Sequence, residues 1–164
     1  MSGLESLYQE LILEHSKRPH GRRTPASQGS GAEPQKEDIW LGSEATSHQR
    51  NPICGDEVTL RVRLDDAGVI RDVTWEGSGC SISQASASML AMLVDDRENG
   101  MPRAEASALI DGFREAMRSR GTIPIDEETY GDAEALSGVS KYTARVKCAM
   151  LAWVALEDAL VRAS

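Results

Sequence analysis

The sequence predicts an α+β fold in which a small antiparallel sheet packs against helices. Three observations predict it. Val58, Leu60, Val62 and Leu64 alternate with Thr59, Arg61 and Arg63, the period of a half-buried strand. Asp65-Asp66-Ala67-Gly68 is turn chemistry, and residues 69–76 return as an antiparallel partner. Beyond that hairpin, apolar residues recur at helical spacing in three successive stretches.

Ahead of the sheet, Leu4, Leu7, Tyr8, Leu11 and Ile12 mark an amphipathic helix that ends near Ser16, before Pro19. Residues 17–35 are rich in Arg, Gly, Ser and Pro and read as a surface loop, within a partly flexible region that extends over 17–50. Inside that region 39–48 is a poorly patterned edge-strand candidate. Gly77-Ser78-Gly79 breaks the second strand of the hairpin, and Ile82, Ala85, Met89, Met92 and Leu93 then give a helix that Asn99-Gly100 stops. Pro102 suits the first turn of the next helix, whose apolar face is Ala106, Leu109, Ile110, Phe113 and Met117. Residues 121–138 read as a loop. A last helix over 141–162 carries Cys148, Leu151, Ala152, Ala155, Leu156 and Leu160. With no internal repeat, residues 1–164 are expected to form one domain.

Composition narrows the function classes. Hydrophobic residues make up 40% and charged ones 27%, an ordinary globular balance. The formal charge of −8 argues against non-specific nucleic-acid binding, which needs cationic surface to release counterions. No apolar run approaches the ~20 residues that span a bilayer. The opening segment holds Glu5, Glu10 and Glu14 and lacks the form of a secretory signal, so a cytoplasmic address and no membrane partner are expected. Three cysteines cannot close a disulfide framework among themselves and read as free thiols or metal ligands.

Each cysteine has a suggestive setting. Cys54 lies in the turn Asn51-Pro52-Ile53-Cys54-Gly55-Asp56. Cys80 follows Gly77-Ser78-Gly79 and opens a helix, and Cys148 sits early in the last helix, three residues after Arg145. Helix N-termini and a nearby guanidinium favour thiolates, so a lowered thiol pKa is expected at Cys80 and Cys148. Cys54-Gly55-Asp56 offers two ligands from one turn if Gly55 bends, and Cys80 and Cys148 would complete a tetrahedral set acceptable to zinc or iron. Three unrelated buried thiols are the alternative reading of the same residues. Asp56 then becomes a solvated cap, Arg145 a surface residue, and Met89 and Met92 core filling. His15 and His20 read as surface residues, and His48 is the histidine nearest the cysteines in sequence.

Three blocks carry a resemblance. Asn51-Pro52-Ile53-Cys54-Gly55-Asp56, the run from Gly77 through Cys80 and Gln84 to Ser88, and the run from Leu136 through Arg145 to Cys148 and Ala149 resemble the IscU/NifU-N/SufU family of iron–sulfur assembly proteins. The long separation of Cys80 from Cys148 resembles the insertion of the SufU branch, placed within about 112–131. Beside Cys148 the chain reads Thr143-Ala144-Arg145-Val146-Lys147, without the double proline and histidine of the IscU branch. The resemblance implies an IscU-like sandwich and a zinc ion held by Cys54, Asp56, Cys80 and Cys148. It also implies a SufS-type, PLP-dependent cysteine desulfurase as partner, with SUF scaffold proteins downstream. By that analogy Cys54 accepts persulfide sulfur after the partner displaces it from zinc, and Arg145 supports the site.

The leading expectation is therefore zinc-dependent sulfur transfer for cluster biosynthesis. A second keeps the residues and makes the protein a scaffold for a transient [2Fe–2S] cluster. A third is a structural zinc module used as an adaptor. A cysteine hydrolase is not supported, because the blocks that hold the cysteines contain no histidine to act as base.

Overall fold

Alternation in the sequence becomes a four-stranded antiparallel sheet with helices against it. The computed structural model describes residues 3–23, 41–52 and 55–163. Along these the chain forms α1 (Gly3–Lys17), β1 (Ser43–Asn51), β2 (Asp56–Leu64), β3 (Val69–Ser78), α2 (Ser81–Asp95), β4 (Met101–Pro102) and α3 (Arg103–Arg118). A single turn, α4 (Glu127–Tyr130), a 3-10 helix (Gly131–Lys141) and α5 (Thr143–Arg162) complete it. The sheet order is β1–β2–β3–β4, with every neighbouring pair antiparallel. The predicted α+β architecture is the one observed.

The inward face of the hairpin is Val58, Leu60, Val62 and Leu64 from β2 with Ile70, Val73 and Trp75 from β3, all buried. Helix α5 lies across β1 and β2, α2 backs β3, and α1 packs on α2. The scarce aromatics are concentrated where α3 meets α5. Phe113 stacks on Trp153 at 4.1 Å between centroids, and Tyr130 tilts against both. Gly112 leaves the space in which the Tyr130 hydroxyl donates to the Leu109 carbonyl at 3.0 Å. Among the described residues no helix is long and apolar enough to cross a membrane.

Four local expectations change. The edge strand read at 39–48 lies at Ser43–Asn51, while Ile39 and Trp40 fall outside the described residues. Apart from Ala45, which packs against the core, its side chains are polar, and the full ladder to β2 holds it, together with a buried Ser47 hydroxyl donating to Asp158 Oδ2 at 2.7 Å. Part of the loop expected from residue 17 onward is pinned instead. Trp75 N–H donates to the Gly21 carbonyl, Arg23 N–H to the Trp75 carbonyl, and Trp75 Nε1–H to the His20 carbonyl. The stretch read as a loop at 121–138 contains α4 and most of the 3-10 helix, with Ile125, Tyr130, Ala133, Ala135 and Leu136 buried. Pro102 precedes α3 as its cap and pairs with Val69 on the sheet edge, where a missing N–H is tolerated.

His15 is also not a surface residue. It is 5% exposed, with Nδ1 2.7 Å from Ser88 Oγ and Nε2 2.8 Å from Asp132 Oδ2, and so ties α1 to α2 and to the 3-10 helix.

Candidate metal centre

Three elements end at one place. The β1–β2 register pairs Asn51 with Asp56, the first residue of β2. Gly55 takes φ +74°, the left-handed bend expected of it, and its N–H donates to the Asn51 carbonyl at 2.8 Å. The β2–β3 register pairs Glu57 with Ser78, which sets Asp56 beside Gly79 and Cys80. Cys80 is the N-cap of α2, and Cys148 lies in the second turn of α5, packed against α2.

Gly79 is required here by its surroundings. Its φ is +149°, and a Cβ added to it would overlap Asp56 Oδ1 and lie 2.8 Å from Ser83 Oγ. The bare backbone lets the Cys80 N–H donate to Asp56 Oδ1 at 2.9 Å, while Asp56 Oδ2 faces Cys80 Sγ at 3.7 Å. Cys148 joins them, and the ligand atoms of Asp56, Cys80 and Cys148 all lie within 4.8 Å of one another. Asp56 is 1% exposed, Cys148 is 0% exposed and Cys80 is half-buried. Behind the group, the Ser86 hydroxyl donates to the Ala149 carbonyl at 2.6 Å and accepts from Trp153 Nε1–H at 2.9 Å, locking α2 to α5 beside Cys148.

The donor set fits a zinc or iron ion. Tetrahedral ligands at zinc distances are separated by about 3.5–3.8 Å, and the Cys80–Asp56 pair already meets that span at 3.7 Å. A buried carboxylate facing two thiols has little stabilisation of its own, and a cation between them supplies it.

The predicted thiolate stabilisation at Cys148 is reversed by its surroundings. Burial, then the hydrogen bond to Asp56 and the neighbouring Cys80, push the Cys148 thiol far above the usual thiol range. The helix N-terminus and Arg145 do not outweigh these, since desolvation and adjacent negative charge both penalise a thiolate.

Of the sequence-derived candidates, Asp56, Cys80 and Cys148 converge, and Cys54 lies outside the described residues. Arg145 is exposed in the first turn of α5, with its backbone N–H on the Tyr142 carbonyl. His48 is exposed on β1, with Nδ1 against Thr59 Oγ1 and Nε2 3.9 Å from Glu57, and does not belong to the group. Sequence reasoning gave no part to Gln84 and Arg22, which contact the Gly77–Cys80 segment directly.

Comparison with known proteins fits this geometry. The chain is 37% identical over its whole length to the iron–sulfur cluster assembly scaffold protein IscU of Streptococcus pyogenes serotype M1, covering 89% of that protein. It is 34% identical to the zinc-dependent sulfurtransferase SufU of Bacillus subtilis, with 98% of this chain and 94% of the relative covered. The crystal structure of the N-terminal part of a nitrogen-fixing NifU-like protein from Brucella abortus superposes with a TM-score of 0.71 at 25% identity, over 98% of this chain and 96% of that one. The profile of the NifU-like N terminal domain matches residues 7–160. With a sheet, a three-ligand cluster and full-length relatives all in agreement, the chain belongs to the NifU-like N-terminal domain family, the family of IscU and SufU.

Proposed function

We propose that this chain serves iron–sulfur cluster assembly as a zinc-dependent sulfur acceptor. Cys54, Asp56, Cys80 and Cys148 would hold the ion, within one domain over 1–164 whose inserted segment falls in 112–131. The observation that carries the reading is the convergence of Asp56, Cys80 and Cys148 from three separate elements, with ligand atoms within 4.8 Å. The likeness to a protein named a zinc-dependent sulfurtransferase supports zinc as the ion. Zinc keeps bound thiols deprotonated and does no redox chemistry of its own.

The sulfur donor on this reading is a SufS-type, PLP-dependent cysteine desulfurase carrying a persulfide, in a cytoplasmic setting, with SUF scaffold proteins downstream. The Cys54 thiolate attacks the terminal sulfur, a new S–S bond forms at Cys54, and the partner's S–S bond breaks. Its electron pair leaves with the partner's thiolate, so one sulfur moves with no net oxidation. Asp56 holds the Cys80 loop in place through the Cys80 N–H during this exchange. Arg145, exposed near the start of α5, is placed to attract an anionic group approaching that end.

The test is stimulation of desulfurase turnover by the zinc-loaded chain. Cys54→Ala is expected to remove at least ~90% of that stimulation and the persulfide mass increment, a loss of about 10-fold or more. Full stimulation by Cys54→Ala would end the reading. A second reading, a scaffold carrying a transient [2Fe–2S] cluster, is favoured by the likeness to a relative named a scaffold protein. Brown protein with iron and labile sulfide after anaerobic purification would select it, and colourless protein with one zinc would select transfer.

A further inference from the structure

The peptide joining Gly79 to Cys80 is held at both of its polar ends. Its N–H, on Cys80, donates to Asp56 Oδ1 at 2.9 Å. Its carbonyl, on Gly79, accepts from Gln84 Nε2 at 2.9 Å. One peptide plane is therefore clamped between a carboxylate on β2 and a side-chain amide in the first turn of α2. Cys80 φ (−72°) is the next torsion along the chain, so this plane sets where the Cys80 Sγ points.

Gln84 is itself oriented. Its Oε1 accepts from Arg22 Nη1 at 3.4 Å, and Arg22 Nη2 donates to the Gly77 carbonyl at 3.1 Å. A guanidinium only donates and a backbone carbonyl only accepts, so the Gln84 amide satisfies both in a single orientation, nitrogen toward Gly79 and oxygen toward Arg22. Arg22 is fixed in turn: its guanidinium carbon lies 5.7 Å from the Trp75 ring centre, and its backbone bridges to Trp75. The strap that follows α1 thus reaches across the end of β3 to the loop that presents Cys80.

We propose that Gln84 is a positioning residue for the Cys80 thiol, acting through the Gly79–Cys80 peptide and oriented by Arg22. The proposal rests on the reading that Cys80 is a metal ligand. The clamp also divides the labour of Asp56. Oδ1 is occupied by the Cys80 N–H, and Oδ2, facing the thiol, is the oxygen left for an ion. Gln84 and Arg22 stand to the cysteine as hydrogen-bonding partners of ligands do in metal sites generally, where their loss costs about 10–100-fold in affinity.

The experiment compares wild type, Gln84→Glu and Arg22→Ala by three measurements. Gln84→Glu keeps side-chain length and an acceptor for Arg22 but cannot donate to the Gly79 carbonyl. Amide hydrogen exchange of the metal-free chain reads the clamp at the Cys80 N–H, zinc transfer to a chromogenic chelator reads the ligand, and the thermal midpoint reads the fold. Gln84→Glu is expected to speed exchange at Cys80 and to release zinc about 10-fold faster, with Leu60 and Val62 amides unchanged. Arg22→Ala is expected to do the same about threefold, because the amide keeps its donor but loses its orientation. Unchanged zinc release in Gln84→Glu overturns the proposal, whatever happens to exchange. So does faster exchange spread evenly over the core, which marks a role in folding alone. A wild-type chain that takes up no zinc fails the functional reading instead, and exchange at Cys80 then decides whether the clamp exists.

Discussion

Two aspartates stand at the two ends of β2, and their surroundings differ in kind. Asp65, just past the C-terminal end, has every oxygen engaged. Oδ1 accepts from the Ala67 and Val69 N–H groups at 2.9 and 3.0 Å, and Oδ2 pairs with Arg71 Nε at 2.9 Å. Those contacts, the Val69 N–H foremost, hold its carboxyl below the usual carboxylate range even at an exposed turn. Asp56, at the N-terminal end, is 1% exposed, with one backbone N–H on Oδ1, the Cys80 thiol at 3.7 Å from Oδ2 and the Cys148 thiol hydrogen-bonded to its carboxylate. A saturated carboxylate at a turn is architecture. A buried carboxylate whose side-chain partners are two thiols rather than a guanidinium is a site, because burying a charge is costly unless a countercharge compensates it.

The sharpest way to break that contrast is to remove each side chain in turn. Asp56→Ala is expected to abolish stable zinc uptake, with chelator competition showing a loss greater than ~100-fold and desulfurase stimulation falling with it. Asp65→Ala should leave zinc stoichiometry and stimulation within about twofold while lowering the thermal midpoint, since the turn loses its acceptors. Equal metal content in both variants would dissolve the distinction. Gly79→Ala ranks next. The added methyl overlaps Asp56 Oδ1 and must adopt a backbone conformation that favours glycine, at a cost of about 1–3 kcal/mol in the metal-free chain. Because the methyl pushes on the carboxylate, zinc affinity should drop about 10-fold or more in the same variant. A Gly79→Ala protein of normal stability and affinity would show that the loop is free to move away.

The contrast was partly legible before any coordinates. Alternation of Val58 through Leu64 placed β2, and the Asp65-to-Gly68 turn needs only local rules, so that end could be read from the sequence. The convergence at the other end depends on strand register and on how α5 lies over the sheet, neither of which leaves a local pattern. Motif resemblance supplied Cys54, Asp56, Cys80 and Cys148 as a set; spacing alone left the cysteines open to being three unrelated thiols and Asp56 to being a solvated cap. The clamp was illegible for a further reason: Arg22 sits in a polar stretch without periodicity, and its role exists only through the backbone pairing with Trp75. His15 extends the stripe of Leu11 and Ile12 at helical spacing, and that signal was present but unread. Tyr130, Ala133, Leu136 and Val139 recur every third residue, the period of a 3-10 helix rather than an α-helix, which is why a search at 3.6 residues per turn saw only a loop there.

The smallest expected effect tests the saturated end by pH. The folded Asp65 carboxyl has its pKa lowered, so it contributes stability that is fully present above the unfolded value of about 3.9 and is lost as pH falls through the folded value. Asp65→Asn keeps an oxygen for the Ala67 and Val69 N–H groups but turns an amide toward Arg71, so at neutral pH its midpoint should lie below wild type. As pH falls through the lowered folded value the wild-type carboxyl takes up its proton, and the two midpoints should converge. Metal-free protein in excess chelator is the right sample, because acid also protonates the cysteines and would release zinc from the other end of the strand. A gap that stays constant from neutral pH down to acid would mean that the charge of Asp65 is irrelevant and only its turn-forming oxygen matters, leaving the ion pair with Arg71 without energetic weight.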